Sequence, residues 1–422
     1  MPTVTGGWLP NGCATDHRKL ALIKPTLEEM MRLGTLQLQS LPPLSLYIHL
    51  PWCLKKCPYC DFNSHELKST EQLQGKQQEY IQALVHDLEQ SLELIWGRSI
   101  QTIFIGGGTP SLFEPELIDE LLSLVRARVT LAADCEITLE ANPGTFEKDR
   151  FTAFKSAGIN RLSIGVQSFN DRHLSALGRV HNRTQAIEAI EEAASTFKTF
   201  NLDLMYALPG QSLEDFKEDL STALSFDPPH LSIYHLTLEP NTYFAKYPPK
   251  DLPDEDTAFD MLDWIAQETA KQGLLRYEVS AFAKTSHRCQ HNLNYWHFGD
   301  YLGIGAGAHS KLSFAHRIVR QVRIRDPQMY VSSARDGSQL AQHQEIKRKS
   351  LPFEFMLNAL RLKDGFDINE YLERTGLPVS GIQKPIQEAI EKGFLTQKDS
   401  WLQPTTRGFD FLNDLTSLFL ED

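Results

Sequence analysis

The chain has 422 residues, 41% of them hydrophobic and 23% charged, with a formal net charge of −12. That length exceeds one ordinary core and implies at least two domains. The acidic balance argues against a general nucleic-acid or anionic-membrane surface, and no apolar run is long enough to span a bilayer.

The first 20 residues, "MPTVTGGWLPNGCATDHRKL", lack the charged-then-apolar order of a secretory signal. Residues 1–44 show no periodicity and end in "LPPLS". They read as a loosely ordered extension, with Met30 and Met31 as alternative starts close by. A regular pattern follows over 45–283. Runs at "LSLYIHL", "TIFIGG", "CEITLEAN", "RLSIGVQ", "NLDLMYALP" and "HLSIYHLTL" have the β-branched and aromatic enrichment of buried strands. Amphipathic stretches separate several of them; in "QEYIQALVHDLEQSLELI", Tyr80, Leu84, Leu88 and Leu92 recur along one helix face. Six alternations of strand and helix predict an α/β fold with a parallel sheet, either open or a partial (β/α)6 barrel short of closure. Residues 284–350 form a connecting region that opens on "SHRCQHNLNYWHFGDYLGIGAGAHS", rich in His, aromatics and Gly, where no clean helix is expected. Residues 351–422 predict three helices, a hairpin around Lys398 and Asp399, and a last helix, which together make a winged-helix-like domain. With seven basic against twelve acidic residues there, packing is expected of it rather than DNA binding.

Half of the six cysteines stand in "PWCLKKCPYCDF": Cys53, Cys57 and Cys60. Three closely spaced thiols cannot all pair as disulfides, and six cysteines in this length do not make a disulfide framework. A metal site in a reducing, cytoplasmic compartment is expected instead. Thiolates are soft ligands, suited to zinc or to an iron–sulfur cluster. Zinc needs a fourth ligand, for which His65 is near in sequence. The cysteines follow the first predicted strand directly, and ligands of α/β sheets bind at the carboxyl ends of strands. Three thiolates would hold three irons of a 4Fe–4S cluster and leave the fourth open to a small molecule.

This C-x3-C-x2-C after strand one of an α/β repeat resembles the signature of the radical S-adenosylmethionine (SAM) superfamily. The resemblance covers residues from about 45 to the C-terminus. It is closest to the branch of oxygen-independent coproporphyrinogen III oxidase and its haem-chaperone relatives. It implies that the open iron chelates the amino and carboxylate groups of SAM, which the reduced cluster cleaves to a deoxyadenosyl radical. It also assigns cofactor contacts to Tyr47 and Tyr59, and to Gly107, Gly108 and Thr109 of "GGGTP". Glu140 of "LEANPGT", Gln167 of "GVQSFN", Arg179 of "LGRVHN" and Asp203 of "NLDLMYALPGQ" complete the set. Each residue alone also suits a turn, a helix cap, a core position or a surface ion pair; together they converge on one mouth. In the oxidase these positions serve two SAM molecules, and one or two are open here.

Two features separate the oxidase from the chaperones. The oxidase carries a further cysteine two residues past the third, where this chain has Phe62. "HNLNYW", residues 291–296, matches the H-N-x-x-Y-W motif of the haem chaperones, and "DYLGIGAGAHS" follows as in that group. His291, Asn292, Tyr295 and Trp296 are therefore the candidate haem residues. His291 offers an imidazole ligand, Tyr295 an alternative ligand or proton partner, and Trp296 a flat face. Cys289, His297 and His309 rank below them. Such residues are also ordinary core and loop residues, so the intact motif carries the expectation. The resemblance implies a haem chaperone, with haem as cargo and a haem protein as acceptor. A respiratory acceptor would draw the chain to a membrane as a peripheral partner. The alternatives are anaerobic decarboxylation of coproporphyrinogen III and, against the charge, a radical-SAM methyltransferase or nucleic-acid modifier.

Overall fold

The computed structural model describes residues 36–67, 70–145 and 149–420. Most of the extension expected over 1–44 lies outside the described residues. The described chain packs as two compact units, one of 43–312 with 321–343, the other of 36–42 with 313–320 and 344–420.

Strand β1 (Leu44–Leu50) is followed by a short parallel pair, β2 (Trp52–Cys53) and β3 (His65–Glu66). The next five are β4 (Ile100–Gly107), β5 (Leu131–Ala141), β6 (Arg161–Gln167), β7 (Thr199–Tyr206) and β8 (His230–His235). They join β1 in parallel, in chain order. These six are the runs read from the sequence, and most of their apolar residues are buried on both faces, as helix-covered parallel strands require. Three of the helices between them start at side-chain caps, from Asn170, Asn182 and Ser212. Asn182 and Ser212 each close a capping box, satisfying backbone N–H groups that a first turn leaves open. In the helix Thr70–Ile95, Tyr80, Leu84 and Leu88 are buried, as the periodicity predicts.

After β8 come β9 (Leu275–Arg276) and β10 (Ala281–Ala283), then β11 (Asp300–Ile304), β12 (His309–Phe314), β13 (Arg317–Arg323) and β14 (Leu340–Glu345). The sheet has twelve strands in the order β14-β13-β12-β11-β1-β4-β5-β6-β7-β8-β10-β9. Strand β11 lies parallel beside β1, and antiparallel pairs flank the parallel run on both sides. The result is the expected partial barrel in the form of an open, mixed sheet. One expectation is corrected here. The segment after residue 283 contains a helix, Gln290–Trp296.

In the smaller unit, helices Leu351–Ala359, Asn369–Thr375 and Gln383–Glu391 pack with the sheet β15 (Phe366–Asp367), β16 (Leu395–Lys398) and β17 (Trp401–Pro404). The β16–β17 hairpin turns at Asp399, in the left-handed region at φ 53°. Two short helices, Thr406–Asp410 and Leu412–Ser417, complete the winged-helix-like module. Among the described residues no helix is long and apolar enough to cross a membrane.

Candidate functional site

The cysteine loop leaves the C-terminal end of β1 and is tied down at several points. His65 N donates to Pro51 O at 2.7 Å, and Leu67 N to Cys53 O at 2.9 Å. Lys56 Nζ reaches Phe62 O (3.2 Å) and Ser64 O (3.3 Å). Asn63 Nδ2 donates to Ala306 O and Arg325 O at 2.9 and 2.8 Å. Cys53, Cys57 and Cys60 are free thiols. Burial pushes Cys53 up to about 11, partly offset by the Thr109 hydroxyl, and burial raises Cys60 as well. A bound iron would supply the positive charge that makes them thiolates. Arg179 supplies a guanidinium at the same place. Its Nη1 lies 3.7 Å from Cys57 Sγ and its Nη2 donates to Gly165 O at 2.7 Å, while its buried Nε has no hydrogen-bond partner among the described residues. His65, the fourth ligand of the zinc reading, turns Nε2 to Asn63 Oδ1 at 3.3 Å. Among the described residues no three His, Cys, Asp or Glu side chains are drawn together tightly enough to hold one metal ion. Phe62 is 63% exposed.

The remaining candidate residues come from successive strands and from the cysteine loop. The glycines of "GGGTP" lie directly on the β1–β2 backbone, with Gly108 N on Leu50 O and Thr109 N on Trp52 O, both at 2.8 Å. Gly107 has φ 125°, which L side chains rarely adopt, and its N–H donates to Glu140 Oε2 at 3.0 Å. Burial, then repulsion from Asp203, pushes Glu140 up to about 8 against that one N–H. Asp203 accepts from Asn201 Nδ2 (2.8 Å) and Ser163 Oγ (3.1 Å), and burial raises it too. Two carboxyls whose ionisation burial opposes suit a ligand with positive charge. Gln167, at φ 67°, ends β6 where its register with β7 shifts, a strained position of the kind that clusters at binding sites. Tyr59 packs against Leu177, Met205, Leu208, Leu236 and Phe244, beside Arg179. Tyr47 OH meets His49 Nδ1 at 2.9 Å, and His49 Nε2 meets Asn63 O at 2.9 Å. Because a carbonyl only accepts, Nε2 carries the proton and Nδ1 takes the phenol's. His49, which has no motif to mark it in the sequence, thus links Tyr47 to the cysteine loop. Burial lowers it to about 4, so it stays neutral.

The "HNLNYW" helix occupies the other end of the same strands. Its His291 Nδ1 lies 2.7 Å from Thr102 Oγ1, near the start of β4, and Asn294 Nδ2 donates to Ser45 Oγ (2.9 Å), near the start of β1, and to Asp300 O (2.8 Å). From Ser45 to Leu50 is about 17 Å of strand at ~3.3 Å per residue, with the cysteines beyond. Glu136 accepts from the backbone N–H of Gln290 (3.3 Å) and His291 (3.2 Å) in the first turn, where a helix favours negative charge. His291 Nε2 and Tyr295 OH are 2.8 Å apart. His291 is 1% exposed, and burial, then Arg161, lowers it to about 3. Tyr295, Asn292 and Trp296 are half-buried; Tyr295 packs edge-on against Tyr301, ring centres 4.7 Å apart. Cys289 is buried with Sγ 3.7 Å from Glu136 Oε1, and burial pushes it up to about 12. His309 belongs to the cysteine side, close enough to His49 to depress it. The residues that seat the motif, Ser45, Thr102, Glu136 and Asn294, were not foreseen. Asn294 alone had a signal, its place inside the motif.

Comparison with known proteins bears on the family and the fold. Residues 47–223 match the radical SAM superfamily model, and residues 346–411 match the HemN C-terminal domain. The chain is 47% identical over 385 residues to a protein named heme chaperone HemW of Escherichia coli, covering 91% of this chain and all of that one. It is 32% identical over 383 residues to heme chaperone HemW of Bacillus subtilis, covering 89% and 99%. The solved coproporphyrinogen III oxidase HemN of Escherichia coli, a radical SAM enzyme, superposes with a TM-score of 0.77 at 23% identity over 90% of each chain, a likeness of fold.

Proposed function

The chain belongs to the radical SAM superfamily and, within it, to the HemW family, and from that premise we propose that it binds haem and delivers it to a haem protein. The superfamily implies a 4Fe–4S cluster and SAM. In our reading Cys53, Cys57 and Cys60 hold three irons, and one-electron chemistry on SAM is what the pair supplies when bound. The site's chemistry fits them. Three soft thiols share one loop, Arg179 brings a guanidinium to Cys57, and Glu140 and Asp203 are acids whose ionisation burial opposes and a cationic ligand would favour. Tyr47, Tyr59, Gly107, Gly108, Thr109 and Gln167 would shape the pocket around SAM.

The observation that carries the haem reading is the helix of H-N-x-x-Y-W. It carries a hydrogen-bonded His291–Tyr295 pair, with Asn292 and Trp296 half-buried beside it and the Phe104 ring between His291 and Tyr47. Binding cargo at one end leaves the cofactor end free. Titration of the cluster-loaded chain with haem, followed by mixing with a haem-free acceptor, tests the reading. One haem per chain and its transfer to the acceptor are expected. Anaerobic turnover of coproporphyrinogen III to protoporphyrinogen with SAM and reductant would instead make the chain an oxidase.

A further inference from the structure

We propose that the phenolic oxygen of Tyr295, rather than the imidazole of His291, is the axial ligand this chain offers to haem iron; His291 is the positioning residue that takes the phenol's proton. The proposal rests on the haem reading above.

The hydrogen-bond directions carry it. Thr102 Oγ1 donates its single hydrogen to Ser45 Oγ at 2.8 Å. Towards His291 Nδ1, 2.7 Å away, it must therefore accept, which places the imidazole proton on Nδ1. Nε2 then keeps a lone pair, and that lone pair is taken by the Tyr295 hydroxyl at 2.8 Å. The imidazole has no electron pair left to offer, and its ring is 1% exposed. To free it, the chain would break the bond to Tyr295 and open the packing of Phe104, whose ring centre lies 5.1 Å away. Tyr295 is the more accessible partner, and its oxygen acts in the pair as a donor, so its own lone pairs remain.

The step balances without redox change. The Tyr295 O–H bond breaks, an oxygen–iron(III) bond forms, a water on the iron leaves, and the proton goes to His291 Nε2. Burial and Arg161 disfavour a charged His291 in the free chain, so the imidazolium forms only as the iron-bound phenolate 2.8 Å away supplies its counter-charge; both N–H groups stay bonded, Nδ1 to Thr102 and Nε2 to the phenolate. Tyrosinate is an established haem ligand type, and a hard anionic oxygen favours ferric over ferrous iron. Reduction of the iron should therefore loosen the cargo.

The test uses the full chain, loaded with ferric haem, and reads absorption, magnetic circular dichroism and resonance Raman spectra. Tyr295→Phe keeps the ring and its packing against Tyr301. A phenolate–iron signature is expected in the wild type and lost in Tyr295→Phe, with ferric-haem affinity about a hundredfold weaker. His291→Gln accepts the phenol's hydrogen bond but not its proton, which must pass to the buffer, so it should retain the signature only at higher pH than the wild type, with affinity about tenfold weaker; His291→Leu, which cannot accept the bond, should lose it. Dithionite should weaken wild-type binding about tenfold. Any wild-type signature that survives Tyr295→Phe and disappears in His291→Gln overturns the ligand assignment and leaves haem carriage intact. Absence of stoichiometric haem binding to the wild type overturns the haem reading itself, and the ligand assignment with it.

Discussion

Asp87 is a sensitive test of how the cysteine face is held. It lies on the helix Thr70–Ile95, wholly buried. Its carboxylate accepts from Tyr330 OH at 2.8 Å, Arg323 Nη2 at 3.1 Å, Gln339 Nε2 at 3.2 Å and Gly305 N at 3.2 Å. Arg323 is 1% exposed, and its other partners, Ser91, Ser310 and Gln321, are uncharged. Asp87→Ala therefore leaves a buried guanidinium without a counter-charge, a loss of about 3–5 kcal/mol. A domain of this size would lose roughly 10 °C in Tm. The consequence reaches the site because the same turn carries Ala306, whose N donates to Tyr80 OH at 2.8 Å and whose O holds Asn63 of the cysteine loop. Urea unfolding followed by circular dichroism gives the stability. Cluster content after anaerobic reconstitution gives the local effect. Asp87→Ala with Arg323→Met should recover most of the loss, since removing both charges ends the desolvation penalty. A single-variant loss below about 1 kcal/mol, or a double variant as weak as the sum of the singles, would refute the reasoning.

Glu140 supplies a pH test. Its folded value of about 8 lies above the ordinary 4.5, so its contribution to stability is full below about 4.5 and is lost as pH rises through about 8. Glu140→Gln stays neutral and should gain on the wild type between pH 5.5 and 8.5 in urea midpoints; a parallel pH dependence would sink this. The same carboxyl should release a proton when SAM binds at pH 7, seen as calorimetric heats that vary with buffer ionisation enthalpy and no longer vary in Glu140→Gln. A Cβ at Gly108 would sit 2.5 Å from the Trp52 carbonyl oxygen, which no rotamer can vacate, so Gly108→Ala should cost about 1–3 kcal/mol and weaken SAM about tenfold in equilibrium dialysis. Cys57→Ala should bleach the brown cluster absorption and leave haem affinity within about twofold of wild type, since about 17 Å of strand separates Ser45 beneath the motif from Leu50 before the cysteines. Haem binding lost together with the cluster would contradict sites at opposite ends.

The six parallel strands were legible because burial on both faces writes itself as continuous apolar runs, as in "LSLYIHL" and "RLSIGVQ". Gly107 and Gln167 could be picked out because each closes an apolar run, which marks where a strand stops. The helix Gln290–Trp296 was not, because "QHNLNYW" has no apolar stripe. Its stabilising partners are distant in the chain, Glu136 at the first turn and Thr102 and Ser45 beneath it, and the bond between His291 and Tyr295 four residues on is polar. Periodicity cannot register a helix held that way. Nor does a sequence pattern show that Arg179 reaches Cys57, 122 residues away.

Strand β11 explains how two neighbouring stretches of sequence serve opposite ends of the sheet. Asn294 holds both Ser45 on β1 and the Asp300 carbonyl at the start of β11. Strand β11 then runs parallel to β1 and delivers Gly305, Ala306 and Gly307 to the cysteine side. There Gly305, at φ 106°, lies on the His49 backbone, where a Cβ would come within 2.5 Å of the His49 oxygen, and Ala306 O receives Asn63. "HNLNYW" and "GIGAGAH" are thus close in sequence because one short strand joins them, and far apart in space because that strand spans the sheet. Asn294 thus ties β1 and β11 together at the motif end, and Asn63 of the cysteine loop ties to the end of β11 through Ala306 O.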